Sequence, residues 1–234
     1  MFGSRSPEHN PKGRFFRRLF GSVADTSVEI LSSAVAFPDA MAAEVGCRGP
    51  VVTVSPVEEL REEHTLARRM LGVLECIQSG VRCGLPFPAE DVAEVLTFFR
   101  EFVETVHHGK ENGAIYPLAL THGDDDAAQV VGELIADHDD TRDLLRSLML
   151  FWEPGPLLDD ERDGFCELAA TYASRLRRHM QLEEDVLFPQ AQVMTEAEEA
   201  RAVRVFRRAA ATRRDAGWWR ERITALEARW TDTI

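Results

Sequence analysis

The sequence predicts an all-α protein, built as an antiparallel up-down-up-down four-helix bundle with an N-terminal extension and a C-terminal helix. Two observations lead to this fold class. Four long segments carry apolar residues every three or four positions, which is the period of an amphipathic helix. Short stretches rich in glycine and proline separate the segments, for example residues 84–88 and 153–156. Such short connections join helices that lie side by side and run in opposite directions.

The four predicted helices follow one another inside the bundle segment. Helix one begins after Ser55 and ends at Gly80, helix two runs from Ala89 to just before Pro117, helix three follows the aspartates at residues 124–126, and helix four ends just before Pro189. Aspartates suit the positive end of the helix dipole and therefore mark a helix start. We expect the prolines to end helices two and four, because a proline ring clashes with the preceding turn of a regular helix.

Composition divides the chain into three parts. Residues 1–54 form a basic N-terminal extension of unassigned function, residues 55–192 form the bundle, and residues 193–234 form a C-terminal helical tail. Tryptophan and aliphatic side chains recur between residues 218 and 230 of the tail. We expect this apolar face to pack on the bundle rather than on a second subunit, since monomers rarely expose such patches. The sequence does not indicate the oligomeric state.

The extension contains one candidate export signal. Arg17-Arg18, followed by Ala40-Met41-Ala42, resembles a twin-arginine export signal. Asp25 and Glu29 interrupt the segment that should be uncharged in such a signal. We therefore expect a cytoplasmic protein, with export through Arg17-Arg18 as the alternative. No uninterrupted apolar run reaches about 18 residues, so a transmembrane segment is not expected.

Charge and cysteine content argue against several classes of protein. The 40 acidic side chains outnumber the 27 basic ones and give a formal net charge of −13. This balance opposes binding to a phosphate backbone, so nucleic acid is not an expected partner. The four cysteines, Cys47, Cys76, Cys83 and Cys166, show no CxxC spacing. Neither a disulfide framework nor a thiolate metal site is therefore expected.

Histidine and glutamate recur with the same spacing in the two halves of the predicted bundle. His64 is followed by a His-x3-Glu motif, and His138 is followed by another. A spacing of four places two side chains on one helix face, one turn apart. All of these residues lie on apolar stripes, where an uncompensated carboxylate would be costly. The sequence therefore predicts a metal centre with the ligands His64, His107, Glu111, His138, His179 and Glu183.

The residue types narrow the choice of metal. Imidazole and carboxylate ligands without thiolate suit iron, and by affinity also manganese or zinc. Two carboxylates suggest two ions. If both carboxylates bridge, each ion also receives two histidine nitrogens and a solvent-derived oxo or hydroxo bridge, and one position on each ion stays open for a small molecule. A ferritin-like site would need two Glu-x-x-His motifs, and only Glu104-x-x-His107 has that form.

Several neighbours of the predicted ligands have expected roles of their own. His108 lies about 100° further around an α-helix than His107, so we expect it on the surface or behind the ligands. Tyr172 is expected to fill the core. Glu63, Asp137 and Asp139 are candidates for orienting the imidazoles from outside the ligand set. Each of the last three flanks a predicted ligand in the sequence.

Taken together, the motifs resemble the hemerythrin/HHE cation-binding family. They are Glu63-His64, His107-x3-Glu111 with Ile115-Tyr116-Pro117, Asp137-His138, and His179-x3-Glu183-Glu184 with Leu187-Phe188-Pro189. The resemblance covers residues 56–192 and implies a non-haem di-iron centre on the six predicted ligands. Family members carry oxygen, sense oxygen or iron, or repair iron centres. Oxygen carriers use five histidines and two carboxylates, with a second histidine on helix three where this chain has Arg142.

The predicted function is that of a non-haem di-iron protein that binds or reacts with dioxygen, nitric oxide or peroxide under oxidative or nitrosative stress. The alternatives are an iron or oxygen sensor and an iron storage or delivery protein of the iron-centre repair type. Arg142 argues against reversible oxygen carriage. The sequence does not decide whether the protein is an enzyme. We also expect acid to release the metal as the imidazoles protonate near their ordinary pKa of about 6.5.

Overall fold

The computed structural model describes residues 54–124, 126–152, 158–211 and 213–231. These residues form six helices and no strand. The helices are α1 (Pro56–Arg82), α2 (residues 89–122), α3 (Ala127–Leu148), α4 (residues 159–191), α5 (Glu196–Ala210) and α6 (Ala216–Thr231). The all-α prediction is confirmed for these ranges, whereas the up-down-up-down order and the three-part division stay predictions. Residues 1–53 of the N-terminal extension, which include Arg17-Arg18 and Cys47, and the turn at residues 153–156 lie outside the described residues.

Local signals explain both ends of α1. The Ser55 side chain accepts a hydrogen bond of 3.2 Å from the backbone N–H of Glu58, and Pro56 lies in the first turn. At the other end Gly84 adopts a φ of 89°, which a side chain would strain. The Gly84 N–H returns to the carbonyl of Val81 at 3.1 Å. The chain therefore turns sharply after α1 and continues towards α2.

Helices α2 and α4 contain π-helical stretches, in which the turns are wider than in an α-helix. In α2 the order is Ala89–Phe98 (α), Phe99–His107 (π), His108–Lys110 (α), Glu111–Ile115 (π) and Tyr116–His122 (α). In α4 the order is Asp159–Leu182 (α), Glu183–Leu187 (π) and Phe188–Ala191 (α).

The expectation that Pro117 and Pro189 end these helices was wrong. Both prolines lie in the first turn of the α-helical stretch that follows a π-helical one, and the helices continue beyond them. In a regular helix the proline ring would clash with the carbonyl four residues earlier. The wider π turn moves that carbonyl away from the ring, so the helix can pass through the proline.

The helices pack around an interior to which the tail contributes. Helix α1 packs against α4 and α6, and α3 packs against α4. Trp219 and Trp230 of α6 are buried. The ring of Trp219 meets that of Phe98 edge to face, with centroids 5.2 Å apart, and Trp230 Nε1 donates to Asp91 Oδ2 at 2.9 Å. The apolar face of the tail therefore packs on the bundle, as expected.

Helix α5 begins with a capping box, in which the Thr195 hydroxyl accepts from the Glu198 N–H and the Glu198 carboxylate accepts from the Thr195 N–H. Cys76, Cys83 and Cys166 are free. Within the ranges that the structure describes, no helix combines the length and the apolar character needed to cross a bilayer.

Candidate metal centre

The six residues predicted as ligands meet in the interior of the bundle. Helix α1 contributes His64, α2 contributes His107 and Glu111, α3 contributes His138, and α4 contributes His179 and Glu183. None of the six exposes more than 2% of its surface. The structure thus brings together every residue that the sequence pattern singled out, and their role as metal ligands stays a prediction.

The glutamates of the two His-x3-Glu motifs have the same local structure. Glu111 and Glu183 are each the first residue of a five-residue π-helical stretch, a feature common at functional sites. His107 Nε2 lies 2.9 Å from Glu111 Oε1, and His179 Nε2 lies 3.4 Å from Glu183 Oε2. Each motif therefore presents one imidazole nitrogen and one carboxylate oxygen to the same point.

The ligand atoms form two groups that share one carboxylate. The first group consists of His64, His107, Glu111 and Glu183, and the second of His108, Glu111, His138 and His179; within each group the ligand atoms lie within 4.8 Å of one another. Glu111 Oε1 faces His107 of the first group, and Glu111 Oε2 lies 3.3 Å from His138 Nε2 of the second. Glu183 Oε2 lies 3.2 Å from His64 Nε2 and 3.4 Å from His179 Nε2. Both carboxylates thus lie between histidines of the two groups.

Many of the atoms that face this cluster lack a hydrogen-bond partner among the described residues. They include both Glu111 oxygens, Glu183 Oε2, and the Nε2 atoms of His64 and His107. Buried polar atoms are almost always paired, and an isolated buried carboxylate is costly. Cations would satisfy these atoms, because imidazole nitrogens and carboxylate oxygens are ligands of iron, manganese and zinc. The residues present therefore fit metal ions.

The family comparison points to the same chemistry. A family model described as the hemerythrin HHE cation binding domain matches residues 55–191, which is more than half of the chain. The chain belongs to the hemerythrin HHE family. The resemblance inferred from the motifs is thereby confirmed. No curated protein and no solved structure shows a significant match to the chain.

In this hemerythrin-family protein, carboxylates outside the two groups orient two imidazoles. His64 Nδ1 donates to Glu184 Oε1 at 2.8 Å, and Arg68 holds the same carboxylate through hydrogen bonds of 2.9 and 2.7 Å. His107 Nδ1 donates to Glu63 Oε2 at 2.9 Å. Because Nδ1 of each ring is engaged in this way, Nε2 is left to face the cluster. Glu63 was expected in this role.

A buried cation holds Glu63 in turn. Lys110 is only 2% exposed, pairs with Glu59 at 2.6 Å and with Glu63, and lies over the Phe206 ring of α5. Burial alone would raise the pKa of Glu63, but His107 and Lys110 lower it. Glu63 therefore stays ionised and remains an acceptor for His107.

The outer partners are looser in the second group. His138 Nδ1 lies 3.3 Å from Asn112 Nδ2, and His179 Nδ1 lies 3.9 Å from Asp137 Oδ2. Asp137 thus faces a predicted ligand, as expected. The expectation for Asp139 was wrong, because 71% of its side chain is exposed.

Without a cation, the carboxylates hold protons on the imidazoles. Burial alone would lower the pKa of His107, but Glu111 raises it to about 9, and Glu111 with Glu183 raises the pKa of His64 well above its ordinary value in the same way. Burial alone would raise the pKa of Glu111, yet the charge of His107 lowers it well below its ordinary value. At neutral pH the metal-free pocket therefore pairs imidazolium with carboxylate, and an entering cation must displace protons.

From the sequence, Tyr116 had no expected role, and His108 was expected on the surface or behind the ligands. His108 is 1% exposed and belongs to the second group, which excludes the surface position. The Tyr116 hydroxyl donates to Glu183 Oε1 at 2.9 Å and lies 3.1 Å from His138 Nε2. Tyr172, by contrast, fills the core as expected: it is fully buried, and its hydroxyl has no hydrogen-bond partner within the described ranges.

Proposed function

We propose that this hemerythrin-family protein holds two iron ions on the six predicted ligands and that the pair binds or reacts with dioxygen, nitric oxide or peroxide. The position of Glu111 carries the proposal. Its two oxygens face histidines of different groups, as a carboxylate does when it bridges two cations. A single ion in either group would leave buried nitrogens of the other group without a partner.

Iron is the metal that best matches the family and the ligand set. Hemerythrin HHE domains bind cations, and the cluster offers nitrogen and oxygen ligands without thiolate. When bound, an iron pair with an open position supplies electrons and a binding site to a small molecule. The side chains of this protein supply the enclosure and the protons.

The enclosure restricts the reactant to a molecule of a few atoms. The six predicted ligands are at most 2% exposed, and the Phe188 ring stacks on His64 with centroids 5.3 Å apart. Protein interiors are close-packed, so a larger substrate would have to displace core side chains. Dioxygen, nitric oxide and peroxide are small enough to avoid that cost.

Tyr116 keeps a proton beside the centre. Burial and the nearby Glu183 carboxylate raise the pKa of Tyr116 well above its ordinary value, so its hydroxyl stays protonated and donates to Glu183 Oε1. A hydrogen bond to a carboxylate ligand withdraws electron density from that ligand. The less positive, reduced state of the metal is then favoured.

Replacing Tyr116 with phenylalanine is therefore expected to lower the midpoint potential of the iron pair. The shift should be smaller than the free energy of a whole hydrogen bond to a charged group, about 2 kcal/mol, because the bond exists in both oxidation states and only its change in strength counts. The chain contains two tyrosines, and Tyr172→Phe is the matched control because the Tyr172 hydroxyl has no hydrogen-bond partner among the residues that the structure describes. An optical redox titration of both variants and the parent protein measures the effect. Equal shifts in the two variants would contradict the role of Tyr116.

Uptake of small molecules by iron-loaded protein tests the function. The full chain is reconstituted with ferrous iron without air and then titrated separately with dioxygen, nitric oxide and peroxide. We expect two iron ions per chain and the uptake of about one dioxygen or peroxide molecule per iron pair, with no uptake by zinc-loaded protein. An iron pair inert to all three molecules would overturn the function and leave the site intact. A chain that binds one iron ion would overturn the site.

A further inference from the structure

His108 is a buried imidazole to which the six-ligand scheme gives no role. It is 1% exposed, and neither of its ring nitrogens has a hydrogen-bond partner among the described residues. A buried polar group without a partner is costly, and a structural histidine in a core is ordinarily hydrogen-bonded. Two unsatisfied nitrogens on one ring therefore indicate that a group bound at this site pairs with His108.

The ring of His108 lies among the members of the second group. It stacks on His138 with centroids 3.7 Å apart and 15° between the planes, and its centroid is 5.6 Å from that of His179. One of its ring nitrogens lies within 4.8 Å of the ligand atoms of Glu111, His138 and His179. An ion held by those three residues is therefore within reach of His108.

A carboxylate faces Nδ1 of His108, as carboxylates face Nδ1 of two of the predicted ligands. Glu104 Oε2 lies 3.7 Å from His108 Nδ1 and 3.3 Å from Arg142 Nε. His64 and His107 have Glu184 and Glu63 at the same ring position. A carboxylate facing Nδ1 favours the tautomer with its proton there, which leaves Nε2 free to bind a metal.

We propose that His108 is a seventh ligand, which binds the ion of the second group through Nε2. The inference rests on the two-ion centre of the proposed function and adds a residue to it. It also makes the two ions unequal, because the first group contains two histidines and the second contains three. Arg142 and Glu104 then act as positioning residues for His108.

Counting the bound imidazoles tests the proposal without relying on activity. In the full chain loaded with cobalt(II), the paramagnetic metal moves the N–H protons of bound imidazoles outside the ordinary proton NMR range. Signals that vanish in deuterated water then count the histidine ligands. We expect five such signals in the parent protein and four in His108→Gln. The variant should also bind its second cobalt ion at least about tenfold more weakly.

His122→Gln is the matched control, because His122 is exposed and its Nε2 pairs with Glu198 at 2.9 Å. It should keep five signals. Four signals in the parent protein would overturn the role of His108 and leave the two-ion centre intact, and this count needs no variant to fold. Five signals retained in His108→Gln would also overturn it. Absence of any shifted signal in the parent protein would overturn both the seventh ligand and the proposed centre.

Discussion

Replacing Glu111 with alanine is expected to abolish the metal pair, so that the iron content of reconstituted protein falls from two ions per chain to one or none. Glu111 belongs to both groups, and its two oxygens face histidines of each. Its loss removes a ligand from both ions and one of the two negative charges between the buried cations, a large electrostatic cost in a low-dielectric interior. Iron analysis and the optical spectrum measure the effect.

An exposed glutamate provides the matched control for this variant. Glu62 lies two residues before His64 and is exposed, so Glu62→Ala should keep two iron ions. Glu183→Ala should behave as Glu111→Ala does, because Glu183 also lies between histidines of both groups. If Glu111→Ala retained two ions and the parent spectrum, Glu111 would not be a bridging ligand.

Metal removal is expected to lower the free energy of unfolding, by about 4 kcal/mol when free metal exceeds Kd a thousandfold. The difference should widen as the pH rises from 6.5 to about 9. The folded-state pKa of His107 is raised from 6.5 to about 9. Its proton therefore stabilises the metal-free protein by about 3 kcal/mol below pH 6.5, and that stabilisation is lost as the pH rises through 9. The metal-loaded protein carries no such proton and does not lose stability in this window.

Denaturant unfolding of loaded and metal-free protein at pH 6, pH 7.5 and pH 9 checks this expectation. Proton competition for the metal should extend to about pH 9, higher than the pKa of about 6.5 on which the sequence-based expectation relied. In His107→Gln the stability of the metal-free protein should vary less with pH between 6.5 and 9. A stability difference in the parent protein that is constant or largest at pH 6 would contradict the account.

The predicted ligands could be found in the sequence because their arrangement is local. The i,i+4 spacing of His107 with Glu111, and of His179 with Glu183, places each pair on one helix face wherever the helix lies. Burial of charged residues on apolar stripes then indicated a metal. The same reasoning left a surface position open for His108, which its burial excludes, because it assumed the rotation of a regular α-helix. His108 follows the π-helical stretch Phe99–His107, whose wider turns rotate each residue less. The spacing of apolar residues along the sequence does not reveal a π-helical stretch.

Contacts between residues that lie far apart in the chain could not be predicted from the sequence, for a different reason. Glu184 reaches His64 across 120 positions, and Tyr116 reaches Glu183 across 67. Which side chains meet across such distances depends on how the helices cross and rotate against one another, and a single sequence does not encode this in its local pattern. Glu63 and Asp137 were found because each directly precedes a predicted ligand.

Anomalous diffraction at the iron edge, from crystals of the iron-loaded full chain, tests the central claim most directly. The account predicts two iron peaks, close enough to share a carboxylate, with one oxygen of Glu111 on each ion. The first ion should lie against His64 and His107, and the second against His138 and His179. A single peak, or two peaks of which Glu111 touches only one, would contradict the claim that this chain builds a bridged iron pair.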